Sequence, residues 1–196
     1  AGERVRIRPA TPEDLPVLAA CDFSFLVTRE AAPPFEGDWL THARPVEPYP
    51  KAYGFDPQEM EAHIADDDKA LFVAVGDEIP VGYVALSAGW NNLAFVDDIA
   101  VDAQWRGTGA AQRLMHQALD WAGQKALPGI RLETQTNNVA ACRFYLRQGF
   151  VLGGHDRHLY EGLSPRHAGN SPVLLPFSLR DQSAASSAPS ARMPKA

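Results

Sequence analysis

The stretch "DDIAVDAQWRGTGAAQRLMHQAL", Asp97 to Leu119, constrains the fold of this chain more than any other. It opens as a strand, passes through two glycines two residues apart, and continues as a helical pattern. Ala111, Leu114, Ala118 and Trp121 recur at helical spacing and would face a core. A strand that turns this abruptly into a helix belongs to an α/β layer rather than to a bundle or a sandwich.

The rest of the chain repeats the alternation. "RVRIRP" has the two-residue period of a half-buried strand, and "TPEDLPVLAACDF" predicts a helix with Thr11 as N-cap and Pro12 at the first helical position. From Pro33 to Phe55 the density of proline and aromatic residues predicts a packed irregular segment without long regular elements, either a plain surface loop or a wall of a binding site. Asp56 and Pro57 open a short helix. "KALFVAVGDEIPVGYVALSAGW" reads as a hairpin, followed by the strands "LAFVDDIAV" and "GIRLETQT". "NNVAACRFYLRQGF" predicts a helix ended by Gly149, and "HDRHLY" and "SPVLLPFSLR" predict the last strands. The Ser, Ala and Pro residues from Asp181 onward have little to bury and read as a flexible tail, leaving one domain over 1–180.

At 196 residues and 45% hydrophobic, the chain can bury one substantial core. A formal charge of −6 argues against a nucleic-acid partner, whose phosphates draw on clustered Lys and Arg; a cationic amine suits it better, although plain solubility explains the same charge. Cys21 and Cys142 have no disulfide or zinc-ligand spacing, and the six histidines, His155 and His158 included, give no metal pattern. No apolar run is long enough to span a bilayer, so the expectation is a cytoplasmic protein without a membrane partner.

A helix start leaves amide N–H groups unpartnered and carries partial positive charge, so Gly107 and Gly109 could bring successive amides onto a phosphate. The same glycines could also serve a turn that merely needs small residues. GxxxxGK[ST] is absent, as is the third glycine of GxGxxG, which argues against an NTPase or a dinucleotide-binding enzyme. A second constellation follows: Asn138 near a helix start, where it could cap the helix or bond an amide ligand, then Ala141 one turn on and Tyr145 in the next.

With these residues together the chain resembles the GNAT acetyltransferase superfamily. Its acetyl-CoA signature Q/R-x-x-G-x-G/A stands here as Gln104-x-x-Gly107-x-Gly109, and its N-x-x-A-x-x-x-Y-x-x-x-G-F pattern as Asn138, Ala141, Tyr145, Gly149 and Phe150. From about Trp90 to Tyr160 the chain looks like the streptothricin acetyltransferases. Ala111 departs from the pattern where many relatives carry another glycine, but is small enough to leave pyrophosphate binding intact.

The resemblance implies a mixed α/β GNAT fold: a central, mostly antiparallel twisted sheet with one splayed parallel strand pair, flanked by helices. It implies an acceptor-side half over about 1–69, an acetyl-CoA core over 70–160 and a C-terminal strand region over 161–180. Acetyl-CoA would lie with its pantetheine arm along Ile99, Ala100 and Val101. Its pyrophosphate would lie on the turn from Gln104 through Arg106, Gly107, Thr108, Gly109 and Ala110 to Ala111, and Asn138, Ala141 and Tyr145 would line the far side. Arg106 could add its charge to a phosphate or face solvent. The acceptor would be a small-molecule amine contacted by Trp90, Asp97, Asp98 and Glu133, and a homodimer is a common family assembly.

The implied activity is direct acetyl transfer to a primary amine, foremost that of the β-lysine moiety of streptothricin, which would give antibiotic resistance. A polyamine, an aminoglycoside or a protein amino group is the alternative acceptor, and a non-catalytic CoA-binding regulatory module the alternative class. An alkylammonium must lose its proton before attack, at a cost of roughly 4–5 kcal/mol at pH 7. Asp97 and Asp98 are the candidate bases, or else bind the cation. Strand alternation predicts that their side chains point to opposite faces, so that at most one reaches the amine. Tyr145 is the candidate acid for the departing thiolate, or a core aromatic beside the cofactor. Cys142 lacks a paired histidine and is set aside as a nucleophile. Trp39, Tyr49, Tyr53, Glu47, Asp66, Asp67 and Asp68 could line a site for a bulky cation, or be ordinary core aromatics and solvated acids.

Overall fold

The computed structural model describes residues 5–159 and 173–180. The readings of a tail from Asp181, of Tyr160 in a strand and of the 161–172 part of the C-terminal strand region lie outside the described residues.

The chain begins with β1 (Arg6–Pro9) and α1 (Asp14–Ala19). The helix starts later than Thr11 and Pro12 predict. Pro16 has no N–H, so a helix starting at 12 would lose an internal bond there, whereas a start at Asp14 keeps Pro16 in the first turn, where no N–H is needed. The Asp14 carboxylate closes the preceding turn by accepting from the Thr11 N–H at 2.8 Å, and it also accepts from both Arg8 terminal nitrogens at 2.6 and 2.7 Å.

β2 (Phe25–Glu30) and β3 (Arg44–Lys51) form a separate two-stranded antiparallel sheet. This corrects the expectation that the proline-rich segment holds no long element: "RPVEPYPK" is an eight-residue strand. In a two-stranded ribbon every strand is an edge, so Pro45, Pro48 and Pro50 can sit where no ladder donor is needed.

α2 (Pro57–Ala65) follows, capped by Asp56, whose side chain accepts from the Gln58 N–H at 2.9 Å. β4 (Lys69–Gly76) and β5 (Ile79–Ala88) make the predicted hairpin, turned by Asp77 and Glu78, both with positive φ (49° and 63°). Two such residues give the turn whose twist matches that of the flanking strands. β6 (Ala94–Val101), α3 (Ala110–Gln124), β7 (Gly129–Gln135), α4 (Val139–Arg147), β8 (Val151–Leu152) and β9 (Leu174–Arg180) complete the order. Of "HDRHLY", the described residues 155–159 contribute an isolated bridge, Asp156 to Leu174, rather than a strand.

Among the described residues the main sheet runs β1-β4-β5-β6-β7-β9-β8. Its pairs are antiparallel except β6–β7, the single parallel ladder and the one that α3 crosses over to build. Leu114, Met115, Ala118 and Trp121 of α3 pack with Val84, Leu86, Val96 and Ile130 in the larger core. Leu15 and Leu18 of α1 and Met60 of α2 pack with Leu71, Val73 and Tyr83 on the opposite face of the sheet. Each fully enclosed leucine, such as Leu18 or Leu114, contributes about 1.5–3 kcal/mol relative to exposure, so the helices are fixed to the sheet on both sides of β6. None of the described helices is long and apolar enough to cross a membrane.

Candidate active site

The parallel ladder between β6 and β7 lasts three residues, Ala94 to Val96 against Ile130 to Leu132, and then stops although both strands continue. The cause is local to Asp97. Along β5, Ala85 pairs with Asp98 and Leu86 with Val96, so Asp97 is an extra residue with no opposite number. Such a bulge bends the strand and increases its twist. It carries β6 away from β7, which stays fully paired to β9 on its other edge. Beyond the bulge the Asp102 N–H donates to the Val81 carbonyl of β5 at 2.8 Å. Alternation then turns the backbone groups of Ile99 and Val101 toward the gap.

The bulge also overturns the expectation that Asp97 and Asp98 face opposite ways. Before it, Ala94 and Val96 point into the α3 core; after it, Ile99 and Val101 do so, while Ala100 packs on the α1–α2 side. The inserted residue shifts the parity of the strand, and both carboxylates come out on the α2 side, where they line one cavity.

Two cavities open along the parted strands. The larger, about 400 Å³, lies between the bulge, β7 and the start of α2, with Asp56, Glu59, Asp97, Asp98 and Glu133 in its wall. Tyr145 and Ala141 of α4 close its floor. The smaller, about 230 Å³, runs along Ile99, Ala100 and Val101 toward Arg106. They share Tyr53, Gly54, Asp98, Ile99 and Asn138, so Asp98 sits where they meet.

Asp98 is held by Tyr83, whose hydroxyl donates to Oδ2. Phe23 and Phe55 pack edge-on against the Tyr83 ring at 5.3 and 5.0 Å and fix its direction. Burial raises the Asp98 carboxyl above the usual carboxylate range, opposed by the Tyr83 hydrogen bond and reinforced by the charges of Glu59 and Asp97. Asp97 Oδ2 lies 2.8 Å from His63 Nε2, and Oδ1 accepts from Ser87 Oγ at 3.0 Å. Neither His63 nor Tyr83 stood out in the sequence. His63 lies four residues after Glu59 on α2 and Tyr83 on a strand read only as apolar, and nothing in either local pattern points at a carboxylate on another strand.

Tyr145 is buried against Phe144, Phe150 and Phe177, and burial pushes its phenol well above the ordinary range, so it stays protonated at neutral pH. Burial likewise pushes the Cys142 thiol up to about 12, which keeps it a thiol rather than a nucleophilic thiolate. Asn138 caps α4 by accepting from the Ala141 N–H at 3.2 Å, and its amide donates to the Tyr53 hydroxyl at 3.4 Å. The Lys51 ammonium donates to Gln135 and, at 2.8 Å, to Asn137, and lies 5.0 Å from the centre of the Tyr53 ring. These contacts tie the β2–β3 sheet to the loop after β7 and hold Tyr53 over both cavities.

The glycine turn follows β6 after one short 3-10 turn, Ala103–Trp105. Gly107 and Gly109 have φ of 77° and 86°, and Gly109 is the N-cap of α3. Only glycine adopts these angles without strain, and a Cβ at either position would meet nothing within 4 Å, so open space lies above the exposed amides of the helix start. That cradle, continuous with the smaller cavity, suits a pyrophosphate joined to an extended arm. Arg106 lines this cavity and donates to the Ser24 carbonyl at 2.6 Å. Thr108 Oγ1 donates to the Trp105 carbonyl at 2.6 Å, and the Gln104 N–H donates to Asp102 at 2.9 Å.

Ala110 is buried beneath the turn, and Ala111 packs against the larger core. Glu133 lines the larger cavity while pairing with Arg131 at 2.9 Å. Trp90 is 98% exposed at the β5–β6 turn and lines neither cavity. Trp39 is a core residue, Tyr49 donates to Glu30 at 2.9 Å, and neither lines a cavity; nor do Glu47, Asp66, Asp67 and Asp68.

Residues 30–150 match the model of the acetyltransferase (GNAT) family. The chain is 43% identical to a streptothricin acetyltransferase of Escherichia coli over 118 residues, which is 60% of this chain and 64%, just under two thirds, of that protein. It is 34% identical to streptothricin acetyltransferase A of Bacillus subtilis over 69% of this chain and 79% of that protein. Among solved structures, a chain from Bacillus anthracis bearing the streptothricin acetyltransferase name, in complex with acetyl coenzyme A, superposes with a TM-score of 0.77 at 31% identity, covering 93% of this chain and all (100%) of that one. Parted parallel strands, a bulge between them and a glycine-turned helix start belong together with these matches: the chain is a member of the GNAT acetyltransferase family.

Proposed function

We propose that the chain is a cytoplasmic enzyme that transfers acetyl from acetyl-CoA to a primary amine of a cationic small molecule of the streptothricin type, protecting its cell from that antibiotic. The observation that carries this reading is the wall of the larger cavity. Asp56, Glu59, Asp97, Asp98 and Glu133 line it, and among the described residues no Lys, Arg or His does so. Asp97 is met by His63 and Glu133 by Arg131, so the charge that attracts a molecule bearing several ammonium groups is that of Asp56, Glu59 and Asp98. The names of the relatives add the substrate class.

Acetyl-CoA supplies an activated acetyl thioester; the work left to the chain is to hold it, orient the amine and move a proton. The amides from Arg106 to Ala111 hold the pyrophosphate, and backbone groups of Ile99 and Val101 that face the gap hold the arm and meet the thioester carbonyl. Glu59 and Asp56 receive the remote ammonium groups. Asp98, at the meeting point of the two cavities, accepts the proton from the attacking ammonium at its carboxylate. Its raised position on the pH scale narrows the gap of about six units between an ordinary aspartate and an alkylammonium. Tyr145, kept protonated by burial, donates a hydrogen bond to the departing thiolate from the floor of the cavity.

The test is release of free thiol from acetyl-CoA by the purified protein, with streptothricin, spermidine, an aminoglycoside and an N-terminal peptide supplied in turn. Streptothricin-dependent release that exceeds the others supports the reading. Release with another amine alone keeps the chemistry and reassigns the acceptor.

A further inference from the structure

His63 sits on the last turn of α2, 4% exposed, behind the wall of the larger cavity rather than in it. Its ring is fixed at both nitrogens. Nδ1 lies 3.3 Å from the Glu59 carbonyl oxygen one turn back, and Nε2 lies 2.8 Å from Asp97 Oδ2. A carbonyl and a carboxylate oxygen can only accept, so satisfying both requires a proton on each ring nitrogen: the geometry is that of an imidazolium. The charges acting on the ring are Asp97 from β6 and Lys69 from β4, while Glu59 of its own helix meets it through the backbone carbonyl. The Asp97 hydrogen bond raises the ring above the ordinary histidine range, against burial and Lys69.

Asp97 is thereby engaged at both oxygens, by His63 on one side and by the Ser87 hydroxyl at 3.0 Å on the other. Asp98 differs in the charge of its partners: it accepts from the Tyr83 hydroxyl and the Ile99 backbone, both neutral, and pairs with no cation among the described residues. Two adjacent carboxylates on one bulge would otherwise compete for the same incoming ammonium.

We propose that His63 is a positioning residue of the acceptor site: its imidazolium holds the Asp97 carboxylate back and cancels its charge, so that the ammonium of the acceptor is delivered to Asp98 alone. The inference rests on the reading that the larger cavity receives the amine. Without the imidazolium, Asp97 is free to take the ammonium off line from Asp98. Off-line binding lowers kcat and KM together and leaves kcat/KM nearly unchanged, whereas a merely damaged site lowers kcat/KM.

The experiment compares His63→Gln with the double variant His63→Gln/Asp97→Asn, using streptothricin at saturating acetyl-CoA. The expected result is a fall of about tenfold in both kcat and KM for the single variant, and recovery to within about threefold of the wild type when the competing carboxylate is also removed. A drop in kcat/KM that the second substitution does not recover, or wild-type kinetics in the single variant, overturns the proposal. Ring-nitrogen shifts of His63 in the wild-type protein, followed by NMR, supply a readout that needs neither variant nor acceptor. Both nitrogens protonated at pH 7 is the expected result; a neutral ring overturns it. If the wild type acetylates no amine while the ring is doubly protonated, the reading of the cavity fails and takes with it the delivery role, and this outcome is distinct from a neutral ring.

Discussion

In the proposed function Tyr145 and Asp98 carry separable halves of the chemistry, and single atoms test them. Tyr145→Phe keeps the ring among Phe144, Phe150 and Phe177 and removes only the hydroxyl, so turnover falls at least about tenfold while CoA affinity, measured by calorimetry, changes little. Unchanged turnover takes Tyr145 out of the donor role. Asp98→Asn keeps the shape and removes the base, with an expected loss of about 10²–10⁴ in kcat. In the wild type, kcat/KM falls on the acid side as Asp98 takes up a proton; because burial raises that carboxyl, the limb lies above the ordinary aspartate value of about 3.9. A limb at or below that value contradicts the assignment. Tyr145, Asn138 and the glycines were legible in the sequence because each belongs to a local pattern with fixed spacing. The partners of the two aspartates were not, since His63 and Tyr83 reach them from other elements and no local pattern records such a meeting.

At the scale of elements, one inserted residue does the most. The bulge at Asp97 parts β6 from β7 and turns two neighbouring carboxylates to one side, and strict alternation, which the sequence invites, gives the opposite answer. The helix after the glycine turn and the β4–β5 hairpin follow from periodicity and turn chemistry alone. The proline-rich strand β3 does not, because its prolines are tolerable only once its pairing partner is known to be a lone edge. Two clips join elements and respond to pH in opposite directions. Arg8 holds the Asp14 carboxyl below its usual value, so the stability this adds is present above about pH 3.9 and is lost as pH falls through the lowered value. His63 is raised in the fold by Asp97, so its contribution is complete below about pH 6.5 and is lost as pH rises through the raised value. Asp14→Ala removes the acceptor of the Thr11 N–H and of Arg8 from a site 8% exposed, and is expected to cost about 2–4 kcal/mol in urea unfolding.

Across the whole molecule, charge and topology act together. The fold opens a cleft in its own sheet, sets a helix start at one end and gathers carboxylates at the other; in the proposed function an anionic cofactor and a cationic acceptor approach Asp98 from these two sides. Attraction of a polycation by Asp56 and Glu59 is screened by salt, so KM for the acceptor rises several-fold between low and high ionic strength while kcat holds steady. A salt-independent KM contradicts the electrostatic part of the account. The most direct measurement is mass spectrometry of streptothricin after incubation with acetyl-CoA and the protein, with Asp98→Asn alongside. The account predicts one acetyl group added at an amine by the wild type and at least about a hundredfold slower by the variant; unmodified streptothricin from a protein that binds acetyl-CoA, or equal rates from the two proteins, contradicts it.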